Sequence, residues 1–352
     1  MTSPALHLEI PVDAKLSFAV SWLSHFPESE LIVLDEILGS ADHRLAIILG
    51  NGINRYGNAG ETNSWRELLR TLAHSHMPEY ADDFPAGIST TEFFDVLSLR
   101  ATRSSTEENS LQKQFCAPLH SWRAYPHHRQ IVGWAKRKNC PILTTNFDTT
   151  LSDACSATLR HVITRGFTDY YPWESYYGED DVVRPSERFG IWHINGLAHY
   201  HRSVRLGLTH YMGSVQRARG WIHRGGNSRL FSSAGTINSW RGCSTWLDAI
   251  FRNDLLIIGL ALEEVEVFIR WLLIERARLF QKFPQLRRRA WYIETKDIAA
   301  TGKGVFLQGV GVELVRETDY ADIYESPAWG IDEFPKGSNP NHNSADFSRS
   351  TT

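Results

Sequence analysis

The feature that most constrains the fold of this sequence is a series of short apolar runs, each followed by glycine or a polar residue. The runs lie at residues 44–49, 141–145, 189–192, 254–258, 290–293 and 312–315. They are rich in β-branched side chains and show no alternation of apolar and polar residues. This pattern is typical of strands that are buried on both faces of a parallel sheet.

Apolar residues at helical spacing occupy the stretches between these runs. One such pattern begins at Trp65 and another begins at Phe268. Strands that alternate with helices predict an α/β fold with a doubly wound, Rossmann-like parallel sheet. Because residues 65–138 carry helical patterns and no clear strand signal, we expect a helical module inserted between the first two core strands.

The two ends of the chain differ from this central part. Apolar residues at helical spacing in residues 1–40 predict an N-terminal helical extension, which either covers the sheet or contacts another subunit. Residues 331–352 are rich in Pro, Asn and Ser, and we expect them to form a flexible tail. Residues 41–330 are then one main domain.

The composition argues against several classes of protein. With 42% hydrophobic and 22% charged residues, the 352-residue chain is not largely disordered, and its net charge of −3 argues against a globally basic nucleic-acid binder. The four cysteines form no C-x-x-C pair, so we expect neither a structural zinc nor a disulfide framework. Without a long apolar run or a secretion signal, we expect a soluble cytoplasmic protein that does not enter a membrane.

The first candidate motif is the turn Gly50-Asn51-Gly52, which directly follows the first apolar run. Glycines allow a backbone to approach a pyrophosphate, and the amino end of the following helix favours negative charge. A dinucleotide fingerprint would require a third glycine where this chain has Arg55, so the dehydrogenase form of the motif fails. A phosphate-binding loop, with Asn54 close by, and a plain strand-to-helix turn both remain open.

The second motif, Thr144-Thr145-Asn146-Phe147-Asp148, lies at the carboxyl end of the second core strand. Open α/β sheets bind ligands at this edge, and Asn146 offers both donors and an acceptor to ribose hydroxyls or to water. Alternatively, Asn146 and Asp148 only cap the next helix.

The third motif is Trp192-His193-Ile194-Asn195-Gly196, at the end of another predicted strand. A histidine at this place is a candidate general base, because its ordinary pKa leaves it largely neutral near pH 7. A histidine that is simply buried in the core is the alternative.

Together these motifs resemble the sirtuin superfamily, and in particular its divergent sirtuin-like branch in bacterial anti-phage defence. The order of elements is the same: a Gly-rich loop, a T-x-N-x-D strand end, a His-Gly element, and a late apolar strand that ends here at Gly259. The resemblance covers about residues 42–320.

Two departures from that family pattern matter. The zinc module of protein-deacylating sirtuins, two C-x-x-C pairs, has no counterpart here, which weakens the deacylase interpretation. The family's histidine directly precedes glycine, whereas this chain has Asn195 there and His193 two residues earlier. Positions 193 and 195 of a strand face the same side, so we expect His193 to reach the pocket.

The resemblance implies an NAD hydrolase that releases nicotinamide and ADP-ribose through an oxocarbenium-like species and needs no metal. Asn146 would orient the water or the ribose, Asp148 would hold Asn146, and His193 would accept a proton. The implied contacts to the dinucleotide are Gly50, Asn51, Gly52, Asn54, Thr145, Asn195 and Gly259.

The resemblance also implies control of such an effector. Because an NAD-depleting enzyme would harm its own cell, we expect restraint by self-assembly into a homo-oligomer or by a separately encoded partner, such as a HerA-type ATPase or a nucleic-acid-binding protein. Two alternatives remain: an NAD-dependent deacylase or ADP-ribosyl transferase, and a non-catalytic subunit that binds NAD or ADP-ribose as a scaffold.

A separate feature is the local charge of residues 188–247, which contain no Asp, Glu or Lys. Eight arginines lie there: Arg188, Arg202, Arg205, Arg217, Arg219, Arg224, Arg229 and Arg241. They form a solvated face, bind the phosphates of the dinucleotide, contact a partner subunit, or follow a nucleic-acid backbone. Glycines in the same stretch suggest a mobile loop that acts as a lid.

Overall fold

The computed structural model describes residues 33–40, 44–57, 64–82, 84–102, 110–163 and 171–330. Most of the expected N-terminal extension and all of the expected tail at 331–352 therefore lie outside the described residues. Of residues 1–40, the described part contains one short helix at Leu34–Gly39.

The described residues form an α/β fold around one eight-stranded, mostly parallel sheet, as the sequence predicts. The strands are β1 Leu45–Leu49, β2 Ile142–Thr144, β3 Thr158–His161, β4 Ser175–Gly178, β5 Ile191–His193, β6 Asp254–Ile258, β7 Ala290–Glu294 and β8 Glu313–Arg316. Their spatial order is β3-β4-β5-β2-β1-β6-β7-β8. The six parallel strands, numbered among themselves, run 3-2-1-4-5-6, which is the order of a Rossmann-like sheet.

Helices connect and cover these strands. They are α1 Leu34–Gly39, α2 Gly52–Arg55, α3 Trp65–His76, α4 Thr90–Thr102, α5 Ser110–Cys116, α6 Pro126–Arg137, α7 Thr150–Asp153, α8 Leu208–His223, α9 Leu247–Arg252, α10 Val267–Lys282, α11 Gly302–Gly309 and α12 Tyr320–Tyr324. No helix in the described ranges is both long enough and apolar enough to cross a membrane.

Both faces of the central strands are buried, which confirms the expectation from their unbroken apolar sequences. In β1, Ala46 and Ile48 join one core cluster, with side chains from α8, α9 and α10. Ile47 and Leu49 join a second cluster on the opposite face, with side chains from α1, α6 and α12. Because successive side chains of a strand point to opposite faces, a strand of this kind is apolar throughout.

The described residues between β1 and β2 form helices and the turns that connect them, and no strand. Helix α6 packs its apolar side against the sheet through Ile131 and Val132. Helices α3, α4 and α5 instead bury a third cluster, which includes Phe93, Phe115 and, from the segment after β5, Leu206. The helical insertion therefore rests on the same edge of the sheet as the strand ends.

Strands β3 and β4 were not predicted from the sequence. They pair antiparallel with each other, and β4 pairs antiparallel with β5 at one side of the sheet. Each has only four residues, and those of β3 are partly exposed and include Arg160 and His161. Strands of four residues, one of them partly exposed, lack the longer apolar run by which the central strands are recognised.

Candidate functional site

The candidate site is a cavity of about 960 Å³ at the carboxyl ends of the parallel strands. It lies where the strand order reverses, between β1 and β6, which is the position at which open α/β sheets form a crevice. Seven of the site residues predicted from the sequence line it: Asn51, Gly52, Thr145, Asn146, Asp148, Asn195 and Gly259. Gly50, Asn54 and His193 lie behind this lining.

The floor of the cavity is formed where the loop after β1 touches the loop after β6. Gly50 N–H donates to the Ile258 carbonyl at 3.0 Å, and Gly52 N–H donates to the Gly259 carbonyl at 2.8 Å. A Cβ on Gly52 would lie 2.7 Å from the Gly259 Cα, so only glycine permits this approach. The two glycines allow the loops to pack closely, and both of their backbone N–H groups already donate to carbonyls of the protein.

This arrangement differs from the expected phosphate-binding loop. The helix that follows, α2, has only four residues, so it offers little of the dipole that an extended helix would direct at an anion. Asn51 and Gly52 still line the cavity.

A buried hydrogen-bond network centres on the Asn54 carboxamide, directly behind this loop. Asn54 Nδ2 donates to Asn51 Oδ1 and to Asp148 Oδ2, both at 2.9 Å. Asp148 Oδ1 accepts the Thr150 backbone N–H at 3.1 Å, at the start of α7. Asp148 therefore holds the first residue of α7 and the Asn54 carboxamide. The implied contact between Asp148 and Asn146 is not found among the described residues, since the Asn146 carboxamide donates to the Gly50 carbonyl instead.

His128, on α6, completes this network and was missed in the sequence. The backbone N–H of Tyr125 donates to His128 Nδ1 at 3.1 Å, so the ring hydrogen is on Nε2, which lies 3.0 Å from Asn54 Oδ1. Burial, and next the nearby His127, lowers the pKa of His128 well below its ordinary value. The available signal was the pair His127-His128 in the first turn of an amphipathic helix, a pattern that is not specific to a site.

Asn146 and His193 are in contact, but only Asn146 faces the cavity. His193 Nδ1 lies 2.8 Å from the Asn146 backbone carbonyl, and Asn146 Nδ2 donates to the Gly50 carbonyl at 3.3 Å. The His193 ring is buried, and its Nε2 has no hydrogen-bond partner among the described residues. Burial lowers the pKa of His193, so the ring is neutral.

Asn195 lines the cavity where His193 was expected to do so. The strand ends at residue 193, and the chain then turns towards Gly196, which has a φ of +105°. We expected residues 193 and 195 to face the same side because we assumed that the strand continues to residue 195. That expectation was wrong, since β5 ends at residue 193 and the chain turns. His193 lies beneath the cavity and holds the backbone of Asn146.

The opposite wall, formed by the segments after β6 and β7, is acidic. Glu263, Glu264, Glu266 and Glu294 line it together with Lys303. The Lys303 ammonium donates to the Tyr292 hydroxyl at 3.1 Å and lies 3.6 Å from Glu294 Oε2. The cavity thus has one wall of carboxamides and one wall of carboxylates, a division that the separate sequence motifs did not indicate.

Glu266 is the most perturbed carboxyl group of this wall. Its Oε2 is shielded from solvent and has no hydrogen-bond partner among the described residues. Burial, and secondly the charge of Glu263, raises the pKa of Glu266 from 4.5 to about 8, against smaller opposing effects of Arg270 and Lys303. Glu266 is therefore largely protonated at neutral pH.

We expect Glu266→Gln to make the protein more stable than the wild type at pH 8, but not at pH 5. Between about pH 4.5 and 8 the unfolded chain loses this proton while the folded chain retains it, so wild-type stability falls as pH rises. The slope is at most about 1.4 kcal/mol per pH unit. Melting temperatures of both proteins across this range measure it, with the exposed Glu264→Gln as control. A difference between the Glu266→Gln variant and the wild type that does not change with pH would contradict the expectation.

The arginines of residues 188–247 do not contribute to the cavity: none of the eight lines it. From this segment only Asn195 and Tyr211 do so. The segment is not an open loop, because residues 208–223 form α8, with Gly220 inside the helix, and Ile222, Leu230 and Trp240 are buried in the core. The geometry thus favours neither a lid nor a phosphate site for these arginines.

Fold and site together define a Rossmann-like α/β protein with a polar crevice at the switch point of its sheet. Comparison of the chain with protein-family models and with curated proteins finds no match to either.

Proposed function

We propose that this crevice binds NAD and that the protein hydrolyses the bond between nicotinamide and ribose. One observation carries the proposal. The carboxamides of Asn51, Asn146 and Asn195 follow three neighbouring strands, and they line the same cavity beside the Asp148 carboxylate. Carboxamides donate and accept hydrogen bonds simultaneously, which suits the vicinal hydroxyls of a ribose.

The chemistry requires orientation of the ribose and a site for the proton that water releases. As the glycosidic bond breaks, nicotinamide leaves as a neutral molecule and positive charge develops on the ribose. Asp148 is the carboxylate on the carboxamide side of the cavity, so it stabilises that charge and accepts the proton from the attacking water. Asn146 holds the ribose or the water, and His193 holds Asn146 in place.

The acidic wall extends this proposal to the choice of dinucleotide. If nicotinamide riboside occupies the carboxamide side, the adenosine ribose lies towards Glu263, Glu264 and Glu294. A 2′-phosphate would meet these carboxylates at short range, where like charges repel. We expect the protein to prefer NAD over NADP by at least about tenfold in affinity, as measured by competition titration. Equal affinity would contradict this placement of the adenosine.

A second candidate is a subunit that binds NAD or ADP-ribose without cleaving it. The observation that favours it is that Asn195, and not His193, lines the cavity after β5. The lining carries Asn195, which cannot take up a proton at neutral pH, and the titratable His193 lies beneath it. Control by self-association or by a partner, such as an ATPase, remains part of both candidates.

One experiment on the purified full chain separates these possibilities. Isothermal titration calorimetry measures NAD binding, and chromatography of the same mixture measures nicotinamide, with no acylated peptide present. Binding with release of nicotinamide and ADP-ribose supports the hydrolase, and the absence of a peptide requirement excludes the deacylase. Binding without release supports the scaffold. Absence of NAD binding overturns both candidates.

A further inference from the structure

Five exposed arginines lie on α8 and on the segment that follows it, and we call them the basic surface. They are Arg217, Arg219, Arg224, Arg229 and Arg241. No ion pair joins any of them to an acidic residue within the described ranges. Other exposed arginines are paired, for example Arg160 with Asp181 and Arg289 with Glu313.

The fold brings these arginines together. Arg217 and Arg219 lie in the second half of α8, and Arg224 follows the last helical residue, His223, in extended backbone. The chain then reverses, since Leu230 N–H donates to the Trp221 carbonyl at 3.4 Å. Arg241 is held against this turn through its N–H, which donates to the Ser228 carbonyl at 3.1 Å.

The side chains follow this backbone arrangement. A Cβ on Gly225 would lie 3.3 Å from Arg241 Cδ and 3.5 Å from its Nη1, so the Arg241 guanidinium covers the residue next to Arg224. Arg229 ends the same turn. Arg217 lies over the Trp221 ring at 5.2 Å, which fixes its guanidinium against the helix.

The charges next to the basic surface do not neutralise it. Lys282 of α10 donates to the Phe231 carbonyl at 2.9 Å and so adds a further positive charge beside the turn. Glu275 of the same helix is already engaged by His223 at 2.8 Å and by Arg278 at 2.9 Å. The sequence itself contains no acidic residue from 188 to 247.

We propose that the basic surface binds the phosphate backbone of a nucleic acid. Exposed guanidinium groups gather at the end of α8 and on the adjoining turn, and each offers paired donors to phosphate oxygens. The surface is separate from the cavity, so this proposal does not depend on NAD chemistry. Because the chain as a whole has a net charge of −3, the attraction is confined to this surface.

The test is fluorescence anisotropy of labelled 20-nucleotide single strands and 20-base-pair duplexes with the full-length protein, over a series of salt concentrations. Each lost phosphate contact removes about 0.7–0.9 from the slope of log K against log salt. The variant Arg224→Gln/Arg229→Gln/Arg241→Gln should therefore lose about 2 to 3 from the slope and at least about tenfold in affinity at low salt. Tighter binding of one form identifies the preferred nucleic acid.

A control variant, Arg66→Gln/Arg123→Gln/Arg316→Gln, removes the same charge from exposed positions on other elements. It should keep the wild-type slope, and circular dichroism should give the same melting temperature for all three proteins. The proposal is overturned if the wild type binds neither nucleic acid at 50 mM salt, which would leave an acidic protein as the occupant. It is also overturned if the two variants lose the same affinity.

Discussion

Replacing Asn146 with alanine is expected to lower nicotinamide release by about 100-fold or more. Asn146 lines the cavity, and its backbone is fixed on both sides, by the His193 ring and by the Thr144 hydroxyl, which accepts its N–H at 3.1 Å. A single preorganised donor removed from a transition state typically costs two to three orders of magnitude in rate, about 100- to 1,000-fold. Release of nicotinamide from saturating NAD measures the effect.

The fold should survive this change, because the Asn146 side chain makes one hydrogen bond, to the Gly50 carbonyl. Asn146→Asp keeps the size but replaces the donor with an acceptor, so it should be equally inactive. Asn227→Ala removes an exposed carboxamide that does not line the cavity and should keep full activity. Turnover by Asn146→Ala above a tenth of the wild-type rate would disprove the assignment of the site.

Replacing Gly50 with alanine is expected to lower the free energy of unfolding by about 3 kcal/mol and to abolish NAD binding. The added methyl group would lie inside van der Waals contact of two backbone atoms, the Gly259 carbonyl oxygen and the Leu260 Cα. Backbone atoms cannot rotate away as a side chain can, so the loops after β1 and β6 must separate and the floor of the cavity must distort. Urea denaturation and calorimetric titration with NAD measure the two effects.

Gly220→Ala is the matched control for this substitution. Gly220 lies within α8, and a Cβ there would meet no atom within 4 Å. Alanine loses less backbone entropy than glycine in a helix, so this variant should be more stable by about 0.5–1 kcal/mol. If Gly50→Ala were as stable as the wild type, the packing of the two loops could not be as described.

The central sheet was predictable because burial on two faces leaves an unambiguous signal. The run at 254–258 coincides with β6, and the other runs differ from their strands by one or two residues at an end. Strands β3 and β4, at one side of the sheet, were not predictable, since each consists of four residues and pairs antiparallel with its neighbours. Local patterns do not encode such pairings.

The sequence also predicted that the site lies at the strand ends, but it predicted the roles of the individual side chains less well. Asn146 and Asp148 line the cavity because parallel strands bring their carboxyl ends to one edge. The exchange between His193 and Asn195 depends on where β5 stops and turns, and that point is uncertain by more than one residue from sequence. His128 contacts Asn54 only because α6 packs beside the loop after β1, and no sequence motif indicates this packing.

The interlocked loops at residues 50–52 and 259 have a consequence for how a ligand enters. They extend the backbone pairing of β1 with β6 beyond the ends of the two strands, and the Tyr324 side chain packs against this contact. A ligand that enters the cavity therefore meets a base whose two loops already touch. We therefore expect any rearrangement on binding in the outer rims, which are built from the helices between β1 and β2 and from the chain after β7.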